Sequence, residues 1–314
     1  MKESPLTYEA DFFAPPAKRR RNIMLKGAFS ALVTPFTNGQ VDEEKYRAFI
    51  EWQIEQGIDG LVPCGTTGES ATLSHDEHEK VIRICIDQAK KRVPVIAGAG
   101  SNNTSEAISL TKFAKSAGAD AVLHITPYYN KPTQEGIVAH FKAISKEVCI
   151  PTIVYNVPGR TGMNVLPCTM GKLYKEIPEV VGCKEATGNL TQISEILEHV
   201  DDKFTLLSGD DFTLLPTMAL GGTGVISVAS NVLPKDYHDL CAAMFKGDLA
   251  TAKKIHFKVA EFCRACFVET NPVPVKTAVA MMGKMGTEVR LPMVPLQPKS
   301  EECVRAALKN LKLL

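Results

Sequence analysis

The sequence predicts an α/β protein built as a parallel (β/α)8 barrel followed by a C-terminal helical domain, and three observations predict it. Eight short β-rich runs alternate with longer amphipathic stretches between residues 28 and 229. Each pair of runs is separated by enough chain for the crossover helix that parallel strands require. After Pro234 the alternation stops and helical patterning alone remains. A doubly wound open sheet has the same local pattern with fewer strands, so the count of eight decides for a closed barrel.

Taken in order, the strand candidates are AFSALVT (28–34), DGLVP (59–63), PVIAG (94–98) and DAVLHIT (120–126), then PTIVYN (151–156), EVVGCK (179–184), FTLLSG (204–209) and GVISVA (224–229). Their near-continuous apolar character suits strands covered on both faces. The stretches between them are amphipathic. In SHDEHEKVIRICIDQAKKR, Ser74 and Glu77 form a capping box, and Val81, Ile82, Cys85, Ile86 and Ala89 form the buried stripe. Beyond the barrel, helices are expected at 235–246, 248–267, 273–285 and 300–312, joined by the proline-containing connectors NPVPVK and LPMVPLQPKS. The expected organisation is a mobile extension at residues 1–23, a barrel domain at 24–234 and a helical domain at 235–314.

Composition limits the function classes. A net charge of +1 argues against nucleic-acid and membrane-surface partners. Nine scattered cysteines fit a reducing compartment rather than a disulfide framework, and Cys263 and Cys266 form a lone CxxC whose helical apolar spacing reads as core. The longest uncharged stretch, Phe212 to Pro234, is interrupted by Pro216 and the Gly221–Gly224 turn and so divides into helix, turn and strand rather than a membrane span. The first 23 residues combine acids, prolines and a KRRR cluster, unlike a secretory signal or a transit peptide. A cytoplasmic location is expected.

Barrels place chemistry at the C-terminal ends of their strands. Here those ends read CGTTGES, GAGSNN, TPYYNKP, YNVPGRTG, KEATGN, SGDD and SVASN, a set rich in hydroxyls. Lys184 ends its strand directly. Alternation would put Val180, Gly182 and Lys184 on one face, with Gly182 leaving space beneath the amine. Apolar walls disfavour the ammonium, so a fraction of this side chain should be free amine, a nucleophile, near neutral pH. Tyr155 also sits at a strand end and can share the cavity. His75 and His78 lie three apart on one helix face, but no carboxylate or cysteine cluster at ligand spacing accompanies them. No metal and no cofactor is expected.

The motifs GTTGES, YYNKP, YNVPGRTG, KEATGN and SGDD, in this order and spacing, resemble the dihydrodipicolinate synthase family, part of the pyruvate-dependent class I aldolase superfamily that also holds N-acetylneuraminate lyase. The resemblance runs from about Gly27 to Leu314 and implies a TIM barrel with a C-terminal helical domain. It implies that Lys184 forms a Schiff base with pyruvate, that L-aspartate 4-semialdehyde is the acceptor, and that Tyr155, Thr66 and Tyr129 relay protons. Thr67 would hold the pyruvate carboxylate and Arg160 that of the semialdehyde, with Gly209 and Ile226 lining the pocket. An arginine in the PGRTG stretch favours the synthase over the sialic-acid lyases. The resemblance further sends Tyr129 into a partner subunit's site, which requires a homo-oligomer, commonly a dimer of dimers. It also implies feedback inhibition by L-lysine at a site formed by Ser70, Ala71, His75, His78, Asn102, Glu106 and Tyr128. A non-catalytic keto-acid sensor and a metal-dependent aldolase are the competing classes. The intact Lys184, Tyr155, Thr66 and Tyr129 set weighs against the first, and the missing ligand cluster against the second.

Overall fold

The computed structural model describes residues 24–314, and the expected extension at 1–23 lies outside the described residues. Strand β1 (Gly27–Ala31) is followed by a short hairpin, β2 (Phe36–Thr37) and β3 (Gln40–Val41), and then by α1 (Glu43–Glu55). The βα units continue with β4 (Gly60–Val62), α2 (His75–Ala89), β5 (Ile96–Gly98), α3 (Thr104–Ala117), β6 (Ala121–Ile125), α4 (Gln134–Glu147) and β7 (Thr152–Asn156). Next come α5 (Pro158–Thr161), α6 (Pro167–Glu176), β8 (Val180–Glu185), α7 (Leu190–Glu198), β9 (Thr205–Ser208), α8 (Leu214–Ala219) and β10 (Gly224–Ser227). The chain ends in α9 (Pro234–Phe245), α10 (Leu249–Ala265), α11 (Val273–Met281) and α12 (Pro298–Asn310).

Eight strands pair in the order β4-β1-β10-β9-β8-β7-β6-β5, and a parallel bridge between Leu61 and Val95 joins the two ends into a ring. The eight candidate runs each overlap one of these strands, with β1 starting one residue before its run and β8 ending one residue after. Inside the ring, Phe29, Val62, Ile96, Ile153, Leu207 and Ile226 belong to one apolar cluster made almost wholly of strand residues. Outside it, residues such as Val154, Cys183 and Leu206 pack against α4, α6 and α7. Closure leaves no long unpaired strand edge and keeps water out of the interior.

Helix α2 begins as the sequence reading expects. The Ser74 hydroxyl accepts from the Glu77 amide at 3.2 Å while the Glu77 carboxylate accepts from the Ser74 amide at 3.0 Å, which closes the capping box of α2. No helix among the described residues is long and apolar enough to cross a membrane. The hairpin β2–β3 was not among the expected elements, although Asn38-Gly39 is a strong turn signal: both residues have positive φ, 53° and 75°.

One expectation about β8 is corrected. The pairing with β7 advances from Thr152↔Val180 to Ile153↔Gly182, so Val181 is an extra residue in the strand. The bulge breaks the alternation: Val180 belongs with the helix-facing cluster and Val181 with the barrel interior. Val180 therefore does not share a face with Lys184. Nor does Gly182 leave a void, because a Cβ built there would sit 2.1 Å from the Thr205 carbonyl oxygen. The missing side chain lets β9 approach. Gly182→Ala should cost about 1–3 kcal/mol by forcing this contact apart, seen as a lower denaturation midpoint with unchanged slope; an unaltered midpoint would show that the strands can part freely.

Candidate active site

Lys184 is the fifth residue of β8 and stands beside Tyr155 of β7, its partner in register. The lysine is 6% exposed, and its Nζ lies 4.3 Å from the centroid of the Tyr155 ring. Burial pulls its pKa from 10.5 down to about 8; the Arg160 charge pushes the same way, and Asp211 opposes both. This corresponds to roughly 3 kcal/mol against the ammonium. Near neutral pH a useful fraction is free amine. Gly209, at the end of β9, makes room for the long side chain, since a Cβ there would lie 2.5 Å from the Ala186 Cβ and 3.1 Å from the Lys184 Cε.

The amine opens into a cavity of about 370 Å³ lined by Thr66, Thr67, Tyr155, Arg160, Lys184 and Gly209 among others. Burial raises the Tyr155 pKa above 10.0, while the Arg160 charge and a hydrogen bond with Thr66 pull it back. The phenol therefore keeps its proton near neutral pH and can donate it. Arg160 sits on the short α5 and reaches across to donate to the Asn271 carbonyl at 3.4 Å. The Asn271 amide in turn donates to the Thr67 hydroxyl at 3.0 Å. A cation, a phenol and two hydroxyls thus converge on a weakly basic amine, an arrangement suited to condensing with a carbonyl compound that carries a carboxylate.

The model of the dihydrodipicolinate synthetase family matches residues 24–311. The chain belongs to this family. It is 64% identical over 286 residues to the 4-hydroxy-tetrahydrodipicolinate synthase of Nitratidesulfovibrio vulgaris (strain DSM 19637 / Miyazaki F), covering 91% of this chain and 98% of the relative. Among solved structures, the chloride-inhibited dihydrodipicolinate synthase of Acinetobacter baumannii, complexed with pyruvate, superposes with a TM-score of 0.90 at 45% identity, covering 93% of this chain and 100% of the other. The lysine-bound family member from Cyanidioschyzon merolae has a TM-score of 0.90 at 39% identity, covering 92% of this chain and 99% of the other.

The chain brings most of the expected site residues into two adjoining spaces. Ser70, Ala71, His75, His78, Glu106 and Tyr128 line a second cavity of about 420 Å³. Gly65, Thr66, Leu123, Tyr155, Arg160 and Asn271 line both cavities, so the two share a wall. In the second cavity His75 Nε2 meets Glu106 Oε1 at 2.8 Å, and the Ser101 hydroxyl donates to the other Glu106 oxygen. The hydrogen bonds from Ser101 and His75 hold Glu106 below the usual carboxylate range. Burial brings His78 down to about 4, which keeps that ring neutral. Asn102 lies behind this set rather than in it, donating to the Tyr128 carbonyl at 3.1 Å.

Two further expected residues lie elsewhere. Ile226 is fully enclosed in the barrel interior beneath the cavity. Tyr129 is 89% exposed, has φ of 69°, and lines neither cavity of its own chain. Two residues that the strand-end reading did not single out belong to the site. Asn271 comes from the stretch read only as a connector, beyond the reach of any argument based on strand ends. Asp211, from the quoted SGDD motif, is buried and accepts from the Val228 and Ala229 amides at 3.2 and 3.0 Å. Its negative charge favours the Lys184 ammonium. The rate at which an amine-reactive reagent labels Lys184 should rise with pH through an inflection near 8. In Asp211→Asn that inflection should move to lower pH; an inflection that stays put would remove Asp211 from the electrostatics of the amine.

Proposed function

We propose that the protein condenses pyruvate with L-aspartate 4-semialdehyde through a Schiff base on Lys184 to give 4-hydroxy-tetrahydrodipicolinate, the committed step of lysine biosynthesis by the diaminopimelate route. The observation that carries the reading is the buried Lys184 amine, held to a pKa of about 8 against the Tyr155 ring at the C-terminal end of the strands. Its 64% identity to a relative named for this activity supports the choice of reaction.

In this reading the neutral amine attacks C2 of pyruvate, and the carbinolamine loses water to give an iminium. The iminium withdraws electrons from the C3 methyl, which releases a proton and leaves an enamine. The enamine carbon attacks the semialdehyde aldehyde, forming the new carbon–carbon bond. The substrate amino group then displaces Lys184, closing the ring and freeing the amine. Tyr155, whose phenol is protonated at rest, and Thr66 move protons at each addition and elimination, with Tyr129 completing the relay from a partner subunit. Thr67 binds the pyruvate carboxylate, and the Arg160 guanidinium binds that of the semialdehyde as a fork. Gly209 shapes the pocket. The exposure and left-handed backbone of Tyr129 support its insertion into a second copy, and with it a homo-oligomer. The nine free cysteines support a cytoplasmic location.

Borohydride added with pyruvate should leave a reduced adduct on the peptide containing Lys184, and Lys184→Ala should lose both the adduct and measurable turnover. Labelling of another lysine would overturn the assignment of the nucleophile.

The second cavity is the proposed site for feedback inhibition by L-lysine. Glu106 supplies an anion for an amino group and Tyr128 a hydrogen bond for a carboxylate, while Asn102 acts from outside the cavity by holding the Tyr128 backbone. Millimolar L-lysine should inhibit the wild type and leave Glu106→Ala and His78→Ala unaffected. A wild type indifferent to L-lysine would remove this part of the proposal.

A further inference from the structure

Outside the cavity that holds Lys184 lies a buried ion pair that the chemistry above does not use. Glu69 ends the GTTGE stretch that carries Thr66 and Thr67, and its side chain is 2% exposed. Lys276, from the middle of α11, donates to Glu69 Oε1 at 2.7 Å and is 0% exposed. The second carboxylate oxygen accepts from the Arg290 backbone amide at 3.1 Å. The Lys276 Nζ also lies 4.2 Å from the centroid of the Phe36 ring, and the Arg290 guanidinium carbon 4.3 Å from it. Two charges are therefore removed from water and paired, an arrangement that adds little net stability over apolar residues of the same volume but fixes direction.

The direction it fixes is that of the two threonines. Glu69 has φ of 55°, a left-handed conformation rare for residues other than glycine, so something must hold it. Its amide donates to the Thr66 carbonyl at 3.1 Å, and that bond sets Thr66 directly against the anchored residue. Asn271, just ahead of α11, donates to the Thr67 hydroxyl at 3.0 Å. One helix region thus grips the short segment at two points, one on each side of Gly68. Arg290 extends the grip, donating to the Thr72 carbonyl at 2.9 Å and to both Glu77 oxygens at 2.7 and 2.5 Å in the first turn of α2.

Resting on the proposed reaction, we infer that Glu69, Lys276 and the Arg290 amide form a positioning device through which the C-terminal helices hold Thr66 and Thr67 in register with Lys184. Glu69 and Lys276 touch no reacting atom. They act through the backbone of the segment they anchor. The barrel alone supplies the nucleophile, and the helices behind it supply the alignment of the groups that serve it.

The test compares Lys276→Met with the paired variant Glu69→Gln/Lys276→Met, in the full-length protein and well below the melting temperature of each. Lys276→Met leaves a buried carboxylate without its cation, so both melting temperature and kcat/KM for pyruvate should fall. The paired variant buries no charge and keeps both side-chain volumes, so its melting temperature should return towards that of the wild type. Its kcat/KM should nonetheless stay about 10- to 100-fold down, the scale of a misplaced catalytic group. Stability and rate would then separate, which a purely structural role does not allow. Wild-type kcat and KM in the folded paired variant would overturn the inference. Borohydride trapping of pyruvate on Lys184 in the wild type is read alongside: its failure would sink the proposed reaction itself, whereas its success with wild-type rates in the paired variant would sink only the positioning role.

Discussion

The whole site depends on keeping water away from one lysine nitrogen. An ammonium on the surface would stay charged through neutral pH and attack nothing. Here the ring of strands closes around it, and the closure relies on contacts that tolerate no extra carbon. Gly182 is pressed on the Thr205 carbonyl, and Gly209 lies against Ala186 and the lysine arm itself. The bulge at Val181 belongs to the same design, since it changes which residues of β8 face inward shortly before Lys184 is reached. Strand packing and nucleophilicity are one constraint seen at two scales.

Charge then sets how far the desolvation goes. Arg160 lowers the pKa of both Lys184 and Tyr155, while Asp211 raises that of the lysine. These effects are secondary to burial in each case. Their balance leaves the amine partly neutral and the phenol protonated at the same pH, which is the pairing an addition followed by a dehydration requires. An anionic substrate beside Arg160 would offset its charge, so the lysine pKa in the bound state need not match that of the empty site. In the proposed reaction the same guanidinium would both tune the resting amine and receive the substrate.

Much of this was readable from the chain because the relevant patterns are local. Apolar runs bounded by turn residues located all eight barrel strands, the strand-end rule led to Lys184 and Tyr155, and the family resemblance added Thr66, Thr67, Arg160 and Gly209, which the fold gathers around the same space. Other features were not local. The β8 bulge is a matter of register with β7, and alternation within one strand cannot reveal it. Asn271 comes from a connector more than forty residues past the last strand, and Glu69 meets Lys276 across 207 positions of sequence. Only the hairpin was legible and overlooked: Asn38-Gly39 announces it, and it delivers Phe36 to the two cations beside Glu69.

The shared wall between the two cavities gives the proposed inhibition a short physical route. Thr66, Tyr155 and Arg160 line both spaces, so a ligand in one is separated from the other by single side chains. No long chain of relays is needed. A coupling of 1–3 kcal/mol, typical of regulated enzymes, corresponds to roughly 5- to 150-fold in affinity, and the loss of one well-placed hydrogen bond to Tyr155 is of that order. The anchoring of the Thr66 segment bears on this directly. A rigid segment cannot absorb a displacement imposed from the second cavity, so the displacement must pass to Tyr155 and the cavity beyond, whereas a loose one would dissipate it. The buried Glu69–Lys276 pair, by fixing one side of the shared wall, leaves the opposite side as the part that can yield.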